Sequence, residues 1–242
     1  MLRNFKIKSF CKVNLSLKVL KKLNNGYHAI ESLITFCDVH DLISISRIRG
    51  GKDEINFSGK FGKKIDRKKN TLAKVLELMR KYKYINNQPF KINVQKNIPL
   101  GSGLGGGSAN AASLLNFLIS KSRLRISSTK IKKIAEKIGS DVVVSLVKRN
   151  TFLNGNPGRM LRLKKNFKLN ILIVYPQIVC STKKIYNKNR IFSKNRSRFI
   201  YYVKNKNQLI SFLKNDKNDL QKTVINLYPK IGKIIDLLKN SK

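Results

Sequence analysis

Residues 99–112 read Pro-Leu-Gly-Ser-Gly-Leu-Gly-Gly-Gly-Ser-Ala-Asn-Ala-Ala, with five glycines between positions 101 and 107. Glycine weakens helix and strand interiors alike, so this stretch has to be a loop. Before it, Phe90-Lys-Ile-Asn-Val-Gln alternates apolar and polar side chains as a strand does, and after it residues 111–119 are helix formers. The chain must therefore pass from a strand through a glycine loop into a helix. Missing Cβ atoms let backbone N–H groups approach an oxyanion, and a helix N-terminus adds about half a positive charge. A phosphate site is the natural inference. A flexible linker is the alternative, but linkers rarely separate a strand from an Ala-rich helix.

Three familiar phosphate loops do not fit. Gly101-Ser-Gly103-Leu-Gly-Gly106 matches the dinucleotide fingerprint literally, yet positions 121–128, Lys-Ser-Arg-Leu-Arg-Ile-Ser-Ser, lack the acid that would hold a ribose. The P-loop ends in Gly-Lys-Ser/Thr, and Gly106-Gly107-Ser108 has no such lysine. A protein kinase would add HRD and DFG motifs, and neither occurs.

Composition narrows the chemistry further. The 242 residues carry 52 Lys+Arg against 12 Asp+Glu, a formal net charge of +40. Such a field attracts any polyanion, nucleic acid included, but Lys-Lys pairs recur along the whole chain and read as a solubilising surface. The scarcity of acids is more informative: between Glu77 and Asp216 the only carboxylates are Glu136 and Asp141. Cys11, Cys37 and Cys180 are odd in number and widely spaced, and with only His28 and His40 beside them neither a disulfide scaffold nor a zinc site is expected. No apolar run reaches the roughly 20 residues of a membrane span, and the start lacks the apolar stretch of a signal peptide. We expect a cytoplasmic protein with reduced cysteines, no metal-ligand cluster, no membrane and no specific nucleic acid.

Along the chain, residues 5–19 alternate as a strand or hairpin, with Lys12, Asn14 and Ser16 on one face. Asn24-Asn25-Gly26 is a turn, and a second alternating stretch at 30–48 breaks near Asp38 to Asp41. Gly50-Gly51 predicts another turn, and 57–62 a loop. Asn70-Thr71 opens a helix with apolar residues at 72, 75, 76 and 79, and 129–138 predicts a basic amphipathic helix. An apolar strand is expected at 169–175 and helical segments at 208–213 and 220–238. The order predicts an α+β fold of two domains, 1–160 and 161–242.

Residues 99–112 resemble the second motif of the GHMP kinases, the superfamily of galactokinase, homoserine kinase and mevalonate kinase. Within it, Lys12-Val-Asn14-Leu, Asn25-Gly26-Tyr27-His28, Asn70-Thr-Leu, Gly139-Ser-Asp141-Val, Tyr175-Pro176, Ser181-Thr182, Tyr186 and Asn218-Asp-Leu follow in the order of the family that phosphorylates 4-diphosphocytidyl-2-C-methyl-D-erythritol. The resemblance implies a GHMP kinase fold, ATP and Mg2+, transfer of the γ-phosphoryl group to the 2-hydroxyl of that substrate in the non-mevalonate (MEP) route to isoprenoids, and a monomer or homodimer. It makes Asp141 the general base and Lys12 the cation beside it, the pairing that an alcohol nucleophile requires. Pro99, Gly101, Gly103, Leu104, Gly105, Gly106, Gly107 and Ser108 would hold the ATP phosphates, with Lys96 and Asn70 along the nucleotide. Tyr27, His28 and Tyr186 would hold the cytosine ring, and Thr182 and Asn14 the remainder of the substrate. Another small-alcohol kinase of the superfamily, or a basic nucleic-acid-binding protein on the same scaffold, are the alternatives.

The chain departs from the family pattern in four places. Ala109 replaces a serine, Val143 a proline, and Arg159 an acid after Gly155-Asn-Pro-Gly158. A third, C-terminal glycine-rich motif does not follow the last helical segment, so the resemblance implies an incomplete C-terminal domain and a truncated chain.

Overall fold

The computed structural model describes residues 4–63, 65–122, 125–155, 159–164, 167–194 and 203–241. Residues 156–158 of the Gly155 motif, and 195–202 of the basic, acid-free stretch from Lys183 to Lys206, lie outside the described residues. The chain is α+β and divides into two compact units, one of Met1–Lys12, Phe36–Leu100 and Leu104–Lys148, the other of Val13–Thr35, Gly101–Gly103 and Arg149–Lys242. No helix among the described residues is long and apolar enough to cross a membrane.

Strands β1 (Phe5–Asn14) and β3 (His28–Arg47) contribute to both units, and β2 (Lys18–Lys22) pairs antiparallel with β3 in the second. In the first unit, β4 (Glu54–Ser58) runs parallel to β5 (Phe90–Gln95), which lies antiparallel to the later part of β3. The alternation read in the sequence sets the register: Ile43 faces Val94, and Ile45 and Ile55 both face Ile92, all buried. Helix α1 (Thr71–Lys81) buries Leu72, Val75, Leu76 and Met79, the positions that its periodicity marked. α2 (Gly106–Lys121) buries Leu114, Leu115 and Leu118 and packs against α1 and α4 (Ser140–Ser145), while α3 (Ser128–Ile138) lies against α4. Each of these side chains stabilises the unit by about 1.5–3 kcal/mol.

Two expectations in this unit are corrected. β3 does not break between Asp38 and Asp41, because Asp41 is fully buried and its carboxylate is satisfied by Lys96 and by the backbone N–H groups of Asn97 and Ile98. The loop expected at 57–62 starts two residues later, since Phe57 and Ser58 close the parallel ladder with β5.

In the second unit, the earlier part of β3 is flanked by β2 and by β6 (Thr151–Asn154), and β7 (Met160–Arg162) extends the sheet from β6. Helices α5 (Thr182–Lys188), α6 (Lys206–Asn215), α7 (Gln221–Leu227) and α8 (Pro229–Asn240) follow. Leu33, Phe152 and Leu209 form its core with Leu15, Leu163, Leu169 and Leu213 around them. Asp219, from the Asn218-Asp-Leu motif, accepts from Val19 N and Ser193 Oγ, both at 2.8 Å, and fastens the helical segment to β2. The strand expected at 169–175 does not form: the segment has no ladder partner among the described residues, and Leu172 is 82% exposed. The helix expected at 220–238 is split at Tyr228, because Pro229 lacks an N–H and takes the first position of α8.

Candidate active site

In the first unit β5 leads into the glycine loop, and the loop becomes α2 at Gly105. Gly105 has φ +68°, the left-handed region that glycine enters without penalty, and no side chain caps the helix behind it. The first-turn N–H groups of α2 therefore receive no acceptor from the side chain of the cap residue or from within the helix, and with the helix dipole they form a donor set suited to phosphate oxygens. A Cβ on Gly105 would lie 2.9 Å from Cγ and 3.1 Å from Cε of Lys12. One on Gly106 would lie 2.9 Å from Cγ2 of Ile98 and 3.3 Å from Nζ of Lys96. The glycines at 105 and 106 thus make room for two lysines as well as for a ligand. Thr71 Oγ1 donates to the Gly107 carbonyl at 2.8 Å and ties the start of α1 to the loop.

Lys12 comes from β1, where its N–H donates to the Leu104 carbonyl at 3.0 Å. Its stem is buried by the loop, and its Nζ reaches within 3.6 Å of Asp141 Oδ2, the two side chains being 9% and 45% exposed. That distance is an ion pair and not a hydrogen bond, which leaves the carboxylate oxygens open to a hydroxyl proton. Asp141 lies in the first turn of α4 behind Gly139, and no side-chain cap bond is made there. A helix-cap role, the ordinary alternative for an aspartate in this context, is not what its geometry shows.

Lys96 and Asn70 are placed differently. Lys96 is 1% exposed and paired with Asp41. Burial pushes its pKa below the usual lysine value while the Asp41 carboxylate opposes the shift. Asn70 caps α1: Oδ1 accepts from the N–H groups of Leu72 and Ala73, both at 3.0 Å, while Nδ2 donates to the carbonyls of Asp66 and Arg67. Pro99, Leu104, Gly107 and Ser108 belong to the same unit as Lys12 and Asp141.

Gly101 and Gly103 fall in the second unit, where Cys180 N donates to the Gly101 carbonyl at 3.0 Å and a Cβ on Gly101 would overlap Val179. His28 and Tyr186 are brought together, with ring centroids 5.1 Å apart at 36°. Tyr27, next to His28 in sequence, is 65% exposed, and Thr182, the first residue of α5, is exposed. Partial burial, and then the charge of Lys22, hold the His28 pKa below 6.5. Asn14 Nδ2 donates to Ser32 Oγ at 2.7 Å.

Sequence reasoning missed Asp41 and Thr71. The signal for Asp41 was present, an acid inside an alternating apolar stretch of an acid-poor chain, but it reads equally as a break. Thr71 follows Asn70 in a motif that drew attention to its neighbour.

The family model for the N-terminal domain of GHMP kinases matches residues 70–149, which run from the Asn70 cap past Asp141. The 4-diphosphocytidyl-2-C-methyl-D-erythritol kinase of Pelagibacter ubique (strain HTCC1062) is 42% identical over 233 residues, covering 96% of this chain and 81% of the relative. The enzyme of that name from Caldanaerobacter subterraneus subsp. tengcongensis is 33% identical, over 98% of this chain and 80% of the relative. A crystal structure of 4-(cytidine 5'-diphospho)-2C-methyl-D-erythritol kinase superposes with a TM-score of 0.70 at 20% identity, covering 95% of this chain and 81% of that one, and shows the same fold. With relatives this similar across nearly its whole length, the chain belongs to the 4-diphosphocytidyl-2-C-methyl-D-erythritol kinase family of GHMP kinases.

Proposed function

We propose that this chain transfers the γ-phosphoryl group of ATP to the 2-hydroxyl of 4-diphosphocytidyl-2-C-methyl-D-erythritol. The observation that carries the reading is the Lys12–Asp141 pair at 3.6 Å, its lysine stem packed against the loop whose helix N-terminus offers donors for phosphate. ATP, when bound with Mg2+, supplies the electrophilic phosphoryl group. Among the described residues no three His, Cys, Asp or Glu side chains gather into a group that could hold a metal ion, and Asp141 would be the carboxylate at hand for Mg2+ brought in with ATP.

The protein's own part is positioning and charge. Asp141 accepts the hydroxyl proton as the oxygen attacks, and Lys12 offsets charge growing on the transferred group. The N–H groups at residues 106–108 hold the phosphates without reorganising, because the loop is fixed by Lys12, Lys96 and Thr71. His28 and Tyr186 offer a polar edge and an aromatic face, which suit a pyrimidine ring.

The test is ADP release in the presence of Mg-ATP and each of several alcohols. Turnover with the cytidyl substrate, inhibited by cytidine diphosphate, and none with galactose, mevalonate or homoserine, is expected. Turnover with one of the latter and not with the cytidyl substrate would refute the assignment.

A further inference from the structure

Asp41 lies in β3 and is fully buried, and its partner Lys96, at the end of β5, is 1% exposed. Taking two such charges out of water costs several kcal/mol per ion, a penalty that an apolar pair of similar volume avoids. Stability alone is therefore a poor reason for them. What the pair does is visible in its bonds: one oxygen of Asp41 takes the Lys96 ammonium, and the other accepts the N–H of Asn97 at 2.7 Å and of Ile98 at 2.9 Å. Three consecutive residues at the exit of β5 are gripped by one carboxylate.

Two of those three residues are the floor of the loop. A Cβ on Gly106 would stand 3.3 Å from the Lys96 ammonium and 2.9 Å from Cγ2 of Ile98, so the first residue of α2 rests on both side chains. Lys96 is in turn bonded to the strand before it, its N–H donating to the Ser58 carbonyl at 2.8 Å. The corner is held from β3 and from β4, and Asp41 is the only charged group in that hold apart from Lys96 among the bonds described.

From this arrangement we propose that Asp41 is a positioning residue for nucleotide binding: through Lys96, Asn97 and Ile98 it sets the height and tilt at which residues 106–108 present their N–H groups to phosphate. The inference rests on the kinase reading above. It touches neither the acceptor substrate nor the proton transfer, so its loss acts on the nucleotide selectively. A buried ion pair that merely filled the core would affect ATP and acceptor through the same loss of folded protein.

The experiment compares the wild-type chain with Asp41→Asn and with the double variant Asp41→Leu/Lys96→Met, which replaces the pair by apolar side chains and keeps the core filled. ADP affinity is measured by calorimetry, the KM of ATP and of the acceptor by turnover, and folding by thermal melting. Both variants are expected to bind ADP at least about tenfold more weakly, with the acceptor KM within about twofold of wild type. The double variant is the decisive one, since it remains folded when Asp41→Asn leaves Lys96 buried with a weaker partner. Wild-type ADP affinity in the folded double variant, or parallel losses for ATP and acceptor, would overturn the proposal. Failure of the wild-type chain itself to bind ADP would overturn the kinase reading, and this inference with it.

Discussion

Replacing Gly105 by alanine probes whether the phosphate loop and the Lys12–Asp141 pair form one mechanical piece, and Gly103 supplies the control. Both glycines sit in the left-handed region, at φ +68° and +76°. Alanine at either position incurs about 1–2 kcal/mol of backbone strain. In a chain of this size that lowers Tm by roughly 2–8 °C. The surroundings differ: nothing lies within 4 Å of a Cβ on Gly103, whereas one on Gly105 meets Cγ of Lys12 at 2.9 Å. Carbon atoms settle at about 3.5 Å or more, so the lysine stem must yield by about 0.6 Å near its root. It has little room to do so, since the Lys12 side chain is 9% exposed, and the displacement carries its Nζ away from the 3.6 Å contact with Asp141. A misplacement near 1 Å at a reacting centre costs about a hundredfold. We expect the two variants to melt within a few degrees of each other, by circular dichroism, while Gly105→Ala has a kcat about a hundredfold below that of Gly103→Ala. Equal kcat values in the two folded variants would show that the loop does not set the position of Lys12.

Asp141→Asn is expected to lower kcat by at least about a hundredfold while ADP affinity is kept, and near-normal turnover would remove Asp141 from the base role. Tyr186→Ala should raise the acceptor KM by about tenfold with little change in kcat, and an unchanged KM would take it out of the cytosine pocket. His28 should titrate below 6.5 by proton NMR, and Lys22→Gln should raise the midpoint; a midpoint that stays put would clear Lys22 of a part in it. Burial, and then the neighbouring Cys37, push the Cys11 thiol up to about 12. A thiol whose folded pKa is raised adds stability that is complete below its unfolded value near 9 and is lost as pH rises toward 12. Cys11→Ala should flatten the decline of urea stability across that alkaline window, and the same slope in both proteins would contradict the shift.

The parts of the fold that were legible in the sequence are those set by neighbours in the chain. α1 takes its start from Asn70 and its buried face from Leu72, Val75, Leu76 and Met79, all within one helix. β5 alternates because one face meets the core. The errors come where a distant partner decides. Residues 169–175 form an apolar run, but a strand exists only when something pairs with it, and here Leu172 points to solvent. β6 and β7, four and three residues long, carry too little pattern to be seen without the β3 edge that they extend.

The site divides along the same line. The resemblance is what points to Asp141, and the scarcity of acids in the middle of the chain, where Glu136 is the other, agrees with it. Lys12 could not be found that way, being one of 52 basic residues, and only its place in a strand motif singled it out. The charge excess had a further effect, since it made every lysine look like surface. Lys96 is the case that matters, an ammonium 1% exposed in a chain with 40 net positive charges. What marks it is the acid that pairs with it, and in a sequence where cations are cheap a mid-strand aspartate is the rarer and more telling residue. Asp41 looked like the end of a strand because its three bonding partners lie more than fifty residues further along the chain, at the foot of the glycine loop. The glycines announce where a phosphate would sit, and the residues that hold them in shape are legible only once the strands have been paired.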